Sequence, residues 1–330
     1  MPETLPMAPK TDLPGIDIAK YVMAIAVVAI HIGVFQNRAY HPAIEWFIRL
    51  AVPFFFIVSG FFIARKLDEA PEEERRKILL RRGLQLLRIY AVWIIIYVPL
   101  IFVETDTADV PAPYIVRDQI IKIFFWGETK LDWQLWYVYS LALVCLSLSF
   151  ATGSRLRMIL VGAVFTVSFI TDYINIYRPE HLGHGIPAIA NILTRRTFGG
   201  GIYVAGGFII YRFRAYLKAN PAAVSGVLLA ASIALFCLRL PLWQFAGGVA
   251  VFIPALTFRP SCHCAMYPAL RSQSMWIYFT HMFAVVAAWK ILGDEGAMIP
   301  VSFALAMTLG YVMYRLQKTG RIPVLDKLIR

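Results

Sequence analysis

Along this chain, apolar residues gather in runs of about 20, the length at which a helix crosses a bilayer core, and short polar segments rich in Arg and Lys separate them. The pattern predicts an all-α polytopic membrane protein of about ten transmembrane helices. They fall at roughly 15–36, 44–64, 84–103, 134–152, 157–175, 197–212, 222–239, 242–258, 273–292 and 298–316. Between the third and fourth runs, the segment 115–126 (IVRDQIIKIFFW) spaces apolar residues helically around Arg117 and Lys122, which predicts an amphipathic helix at the interface. The expected organisation is a tail over 1–14, one membrane domain over 15–316 and a basic tail over 317–330. No internal repeat or low-complexity linker is visible.

Charge orients this array. The connection 65–82 carries Arg65, Lys66, Arg75, Arg76, Lys77, Arg81 and Arg82, while Glu104, Asp106, Asp109 and Asp118 fall on the opposite side. Cytoplasmic loops are the ones enriched in Lys and Arg. Alternation then puts Arg155, Arg212, Arg259 and Arg271 inside, together with both termini. The net charge of +12 is thereby explained as loop charge, and no nucleic-acid partner is expected. A composition of 59% hydrophobic and 16% charged residues excludes an ordinary soluble enzyme. The first run lacks the basic flank and cleavage site of a signal peptide and reads as a span. Four cysteines outline no disulfide framework.

The first run, GIDIAKYVMAIAVVAIHIGVFQ, contains Asp17, Lys20 and His31. An eleven-residue offset returns to within about 20° of the same helical face, about 16 Å further along, so Lys20 and His31 look down one side. Asp17 lies one turn before Lys20 and reads as its counter-ion or as a third member of the site. Ionisable groups in such a run are costly and face a bundle interior or a watery cavity. Histidine is also the side chain that titrates near neutral pH, as a general base must. A lone membrane histidine is otherwise an interhelical hydrogen-bonding residue, and the Lys20 spacing tips the reading toward catalysis.

Several segments, in order, resemble membrane acyltransferase family 3. Lys20 and His31 stand where that family carries an Arg-x10-His signature; RLAVPFFFIVSGFFIARK at 49–66 resembles its second span. LWYVYSLAL at 135–143, TRRTFGGGIYVAGGFIIY at 194–211 and SMWIYFTHMFAVV at 274–286 resemble later motifs. The resemblance implies a bacterial inner-membrane O-acyltransferase, O-acetyl in type, with acyl-CoA (acetyl-CoA) as co-substrate and no bound cofactor. Its acceptor would be a hydroxyl of a surface glycan, lipid-linked saccharide or similar envelope molecule. His31 would be base or acyl carrier and Lys20 its cationic partner, with Asp17 alongside. Arg49, Ser59, Trp136, Arg195, Tyr278 and His281 are the candidates for substrate contact; the alternatives are interfacial anchors for Arg49 and Arg195, a bond to a neighbouring helix for Ser59 and a structural role for His281. Lysine in place of arginine keeps the charge and gives up the bidentate fork.

The basic run 65–82 is a candidate for the phosphates of CoA by charge attraction. A transporter of a sugar or small acid, with Lys20 and His31 as a substrate or proton relay, is the rival reading, and a catalytically idle membrane partner is the third. The partners expected are therefore the bilayer, acyl-CoA and the acceptor; a homo-oligomer stays open. HLGH at 181–184 and CHC at 262–264 lack the ligand set of a zinc site, and no metal is expected.

Overall fold

The computed structural model describes residues 13–35, 40–104, 117, 119–127, 133–177, 198–260, 266–293, 296–320, 322 and 326. Among these residues every regular element is helical. The first four helices are α1 (Pro14–Phe35), α2 (Pro42–Ile48), α3 (Ala51–Asp68) and α4 (Glu72–Glu104). A π turn (Lys122–Trp126) and a 3-10 turn (Trp133–Leu135) lead into α5 (Trp136–Ala151) and α6 (Arg155–Tyr177). Then come α7 (Gly200–Arg212), α8 (Arg214–Ala219), α9 (Pro221–Cys237), α10 (Trp243–Thr257), α11 (Met266–Leu292) and α12 (Met298–Lys318).

A helix occupies each run the hydropathy marked. Five described stretches are long and apolar enough to cross a membrane: Pro14–Gly33, Pro42–Asp68, Glu72–Leu100, Met266–Leu292 and Met298–Lys318. Trp136–Ala151, Pro221–Cys237 and Trp243–Thr257 are shorter apolar helices. Of the expected interfacial helix, the described residues 119–126 are helical and end at Gly127, whose φ of 72° takes the left-handed turn.

The basic connection 65–82 is mostly helix rather than loop. α3 runs on to Asp68, and α4 starts at Glu72 after a break of three residues. Pro71 precedes the new helix, and Glu72, Glu73 and Glu74 in its first turn complement the helix N-terminus. Five of the cations, Arg75, Arg76, Lys77, Arg81 and Arg82, are thereby fixed on the first three turns of α4 and aimed by helical geometry.

Two close approaches anchor the helices that carry the site. A Cβ built on Gly60 would lie 2.1 Å from the Val204 carbonyl oxygen, and one on Gly207 would lie 2.2 Å from that of Ile57. Glycine at both positions lets α3 and α7 cross backbone to backbone, the mode by which membrane helices gain contact without a hydrophobic drive. α4 is tied to α11 by a 4.8 Å stack of Trp93 on Phe279 and by the Tyr97 hydroxyl, which donates to the Phe279 carbonyl at 2.7 Å. α1 and α11 lie side by side and run in the same direction. They meet first through Asp17 and Arg271, and again further along both through His31 and His281.

Candidate active site

Helices α1, α3, α4, α5 and α11 enclose a cavity of about 620 Å³. That is a usual size for a site taking a drug-sized ligand. Its one end is cationic: Lys20, Lys66, Arg81, Arg82 and Arg271 line it, with no carboxylate among the lining residues. Its body is apolar and aromatic, with Phe62, Leu86, Leu141 and Phe279 among the walls. A receptor with several positive charges at the mouth and an apolar barrel suits an amphiphile with an anionic head.

Helical phase decides which cations of the basic run take part. Arg65 turns back to Glu69 with a 2.9 Å ion pair, and Arg75 donates to the Leu67 carbonyl at 3.0 Å, so both brace the α3–α4 turn. Lys66, Arg81 and Arg82 point into the cavity, and Arg82 also donates to Gln85 at 2.9 Å. Lys20 lies with its ammonium 5.2 Å from the centre of the Phe62 ring, a cation–π distance.

Asp17, read from the sequence as the counter-ion of Lys20, lies close enough to act on the Lys20 charge and is also held by Arg271. Two parallel bonds of 2.7 Å join Nε and Nη2 of Arg271 to the two carboxylate oxygens. This is the bidentate fork that favours arginine over lysine. Asp17 is 3% exposed, whereas the Arg271 side chain keeps 46% of its surface. The carboxylate is thus the buried partner and the guanidinium the one at the cavity. A single glance at spacing misses Arg271, because 254 positions separate the two residues. The available signal was chemical: a carboxylate inside an apolar run needs a cationic partner, and basic residues of other helices are candidates for it.

The cavity ends at three mutually packed rings. Phe55, Tyr137 and Tyr278 have centroids 6.1, 6.4 and 5.7 Å apart. Hydrogen bonds lock them. The Tyr137 hydroxyl is 2.9 Å from Ser59 Oγ and donates to the Phe55 carbonyl at 3.3 Å, and the Tyr278 hydroxyl donates to the Gln134 carbonyl. Ser59 and Tyr278, both expected to touch substrate, line the cavity at this closed end. The Gln134 side chain is buried there too, and its amide has no hydrogen-bond partner among the described residues.

Behind Tyr278 lies the histidine pair. The rings of His31 and His281 are 5.1 Å apart at 41°, and His281 is 6.5 Å from Tyr278. His281 is wholly buried and His31 is 8% exposed. Around them Ala24, Val28 and Ile32 of α1, Ile277, Ala284 and Val285 of α11, and Ala306 of α12 form a small-residue apolar shell. Neither histidine lines the cavity; the aromatic triad stands between it and them. The sequence placed Lys20 and His31 on one face, and the structure divides that face into a half that lines the cavity and a half packed on α11.

The other expected contacts are more dispersed. Arg49 pairs with Glu45 at the α2–α3 junction and is absent from the cavity lining. Trp136 packs 5.7 Å from Phe56 behind the cavity wall. Arg195 and the HLGH and CHC motifs fall outside the described residues. Among the described residues no group of three or more His, Cys, Asp or Glu is placed to hold a metal ion.

A family profile described as an acyltransferase domain, family 3, matches residues 13–315, nearly the whole chain. No curated protein and no solved structure matches it significantly.

Proposed function

Since the chain belongs to acyltransferase family 3 and is a membrane acyltransferase, we propose that it moves an acyl group, acetyl in the simplest case, from acyl-CoA to a hydroxyl of an envelope glycan or lipid-linked saccharide. The cavity is the observation that carries this reading. Its five cations suit the phosphates of a CoA nucleotide, and its apolar barrel suits the pantetheine arm and the acyl group. Positive-inside topology turns the cationic mouth to the cytoplasm, where acyl-CoA is made, and sets the histidine end toward the outer face of a bacterial inner membrane.

In this reading, donor enters from the mouth and its thioester reaches the aromatic triad. Displacement of Tyr278 then opens the way to His31. The imidazole takes the proton of the acceptor hydroxyl as the oxygen adds to the thioester carbonyl. The C–S bond breaks on collapse, the ester C–O bond stays, and the proton passes from His31 to the departing thiolate to give free CoA thiol. Asp17 acts structurally here, holding Arg271 at the mouth. Lys20 lines the same cavity and faces the donor.

The test is thiol release from acetyl-CoA by the purified protein in lipid nanodiscs, with N-acetylglucosamine and extracted lipid-linked saccharides as acceptors. Acceptor-dependent release that disappears in His31→Ala supports the proposal. A wild-type protein that releases no thiol, or that carries solutes across proteoliposomes without doing so, overturns it.

A further inference from the structure

His281 Nδ1 lies 2.8 Å from the Tyr278 carbonyl oxygen and 3.0 Å from that of Ile277. Carbonyl oxygens only accept, so Nδ1 must carry the proton. The neutral ring then has a bare lone pair on Nε2, which is buried and has no hydrogen-bond partner among the described residues. A buried acceptor left unmade is costly, so its retention calls for a donor that comes to it. The neighbouring ring is His31, close enough for a small ring rotation to bring one of its N–H groups into hydrogen-bond range. The apolar side chains packed around the pair, among them Ala24, Val28, Ile277 and Val285, carry no donor of their own.

We propose that His281 is a positioning residue for His31: its backbone-fixed Nε2 lone pair accepts one N–H of the His31 imidazole and so leaves the other His31 nitrogen as a lone pair toward the reacting hydroxyl. The backbone of α11 sets the tautomer of His281, and His281 sets that of His31. The arrangement does for His31 what a carboxylate does in a serine-hydrolase triad, with a neutral partner that the apolar shell tolerates. Only the His31 proton inventory is affected, so the pair serves base catalysis and acyl transfer to the ring equally well. The inference deepens the acyltransferase reading and rests on it for its catalytic meaning.

Two measurements test it on the full chain in nanodiscs with ¹⁵N-labelled histidine. The first is the nitrogen spectrum, with the His31 signals assigned by their loss in His31→Ala. A protonated Nδ1 at His281 is expected, together with a His31 tautomer that shifts in His281→Leu and returns toward wild type in His281→Gln, whose amide oxygen can accept. Unchanged His31 signals in His281→Leu overturn the proposal, whatever the enzyme does. Should His281→Leu fail to fold, the same comparison is made with His281→Gln and His281→Met.

The second measurement is turnover of acetyl-CoA. His281→Leu should lower kcat about 100-fold with KM for acetyl-CoA within twofold, and His281→Gln should recover about tenfold of that loss. A rise in KM matching the fall in kcat, or equal loss in both variants, points to a packing role and overturns the proposal. Wild-type protein that turns over no acetyl-CoA while the spectra still show coupling overturns the enzyme reading, and with it the catalytic role of His281, and leaves only a hydrogen-bonded pair.

Discussion

The two halves of α1 handle an ionisable side chain in opposite ways. Lys20 opens onto a wide cavity with four further cations, Lys66, Arg81, Arg82 and Arg271. His31 lies among apolar residues and packs on the His281 imidazole. Redundant charge in an open space attracts an anion without dictating its pose to a fraction of an ångström. Two imidazoles packed together among apolar neighbours constrain where a proton sits. The first half is thus suited to binding and the second to chemistry. Substitutions should divide the same way, into effects on KM and effects on kcat.

The sharpest break in that comparison is His31→Ala, expected to lower kcat by roughly 10²–10⁴-fold while acetyl-CoA binding, measured by titration, stays within twofold. Loss of binding instead would merge the two halves into one site. Next in size is the ion pair. Arg271→Met strands the buried Asp17 carboxylate and should cost about 3 kcal/mol of stability in a denaturation assay. Asp17→Asn leaves the half-exposed Arg271 in reach of water and should cost only about 1 kcal/mol. If the order is reversed, Arg271 is serving the ligand more than the fold.

Removing both Arg81 and Arg82 as alanines should raise KM for acetyl-CoA about 10- to 100-fold with kcat nearly unchanged. Added salt should weaken the wild type more than the double variant. A fall in kcat without a change in KM would move these arginines out of the binding role. The smallest effect is expected at the boundary. Tyr137→Phe removes the hydroxyl shared with Ser59 and the Phe55 carbonyl and should cost about 1 kcal/mol of stability. If the aromatic triad is a gate, it should also speed donor access, read as a faster onset of thiol release.

Much of this was legible in the chain. The apolar runs marked every main helix, and the 3.6-residue period put Lys20 and His31 on one face. The motif near residue 281 flagged its histidine. Other features were hidden for identifiable reasons. The run 65–82 announced positive charge, but helical phase determines that Arg65 and Arg75 brace the turn while Arg81 and Arg82 face inward. Spacing offered Lys20 as the partner of Asp17, and the fold added Arg271 as a second. Tyr137 lay within the 135–143 motif without a signal of its own, and Gln134 only beside it.

By itself the sequence determined where the chain turns helical, which face of the first helix is polar and which chemistry that face can offer, because hydropathy and helical period act over neighbouring residues. The tertiary structure decided which charges are neutralised, where the cavity stops and which ring stands next to His31. Those outcomes depend on contacts between residues hundreds of positions apart, and a one-dimensional pattern contains no term for them.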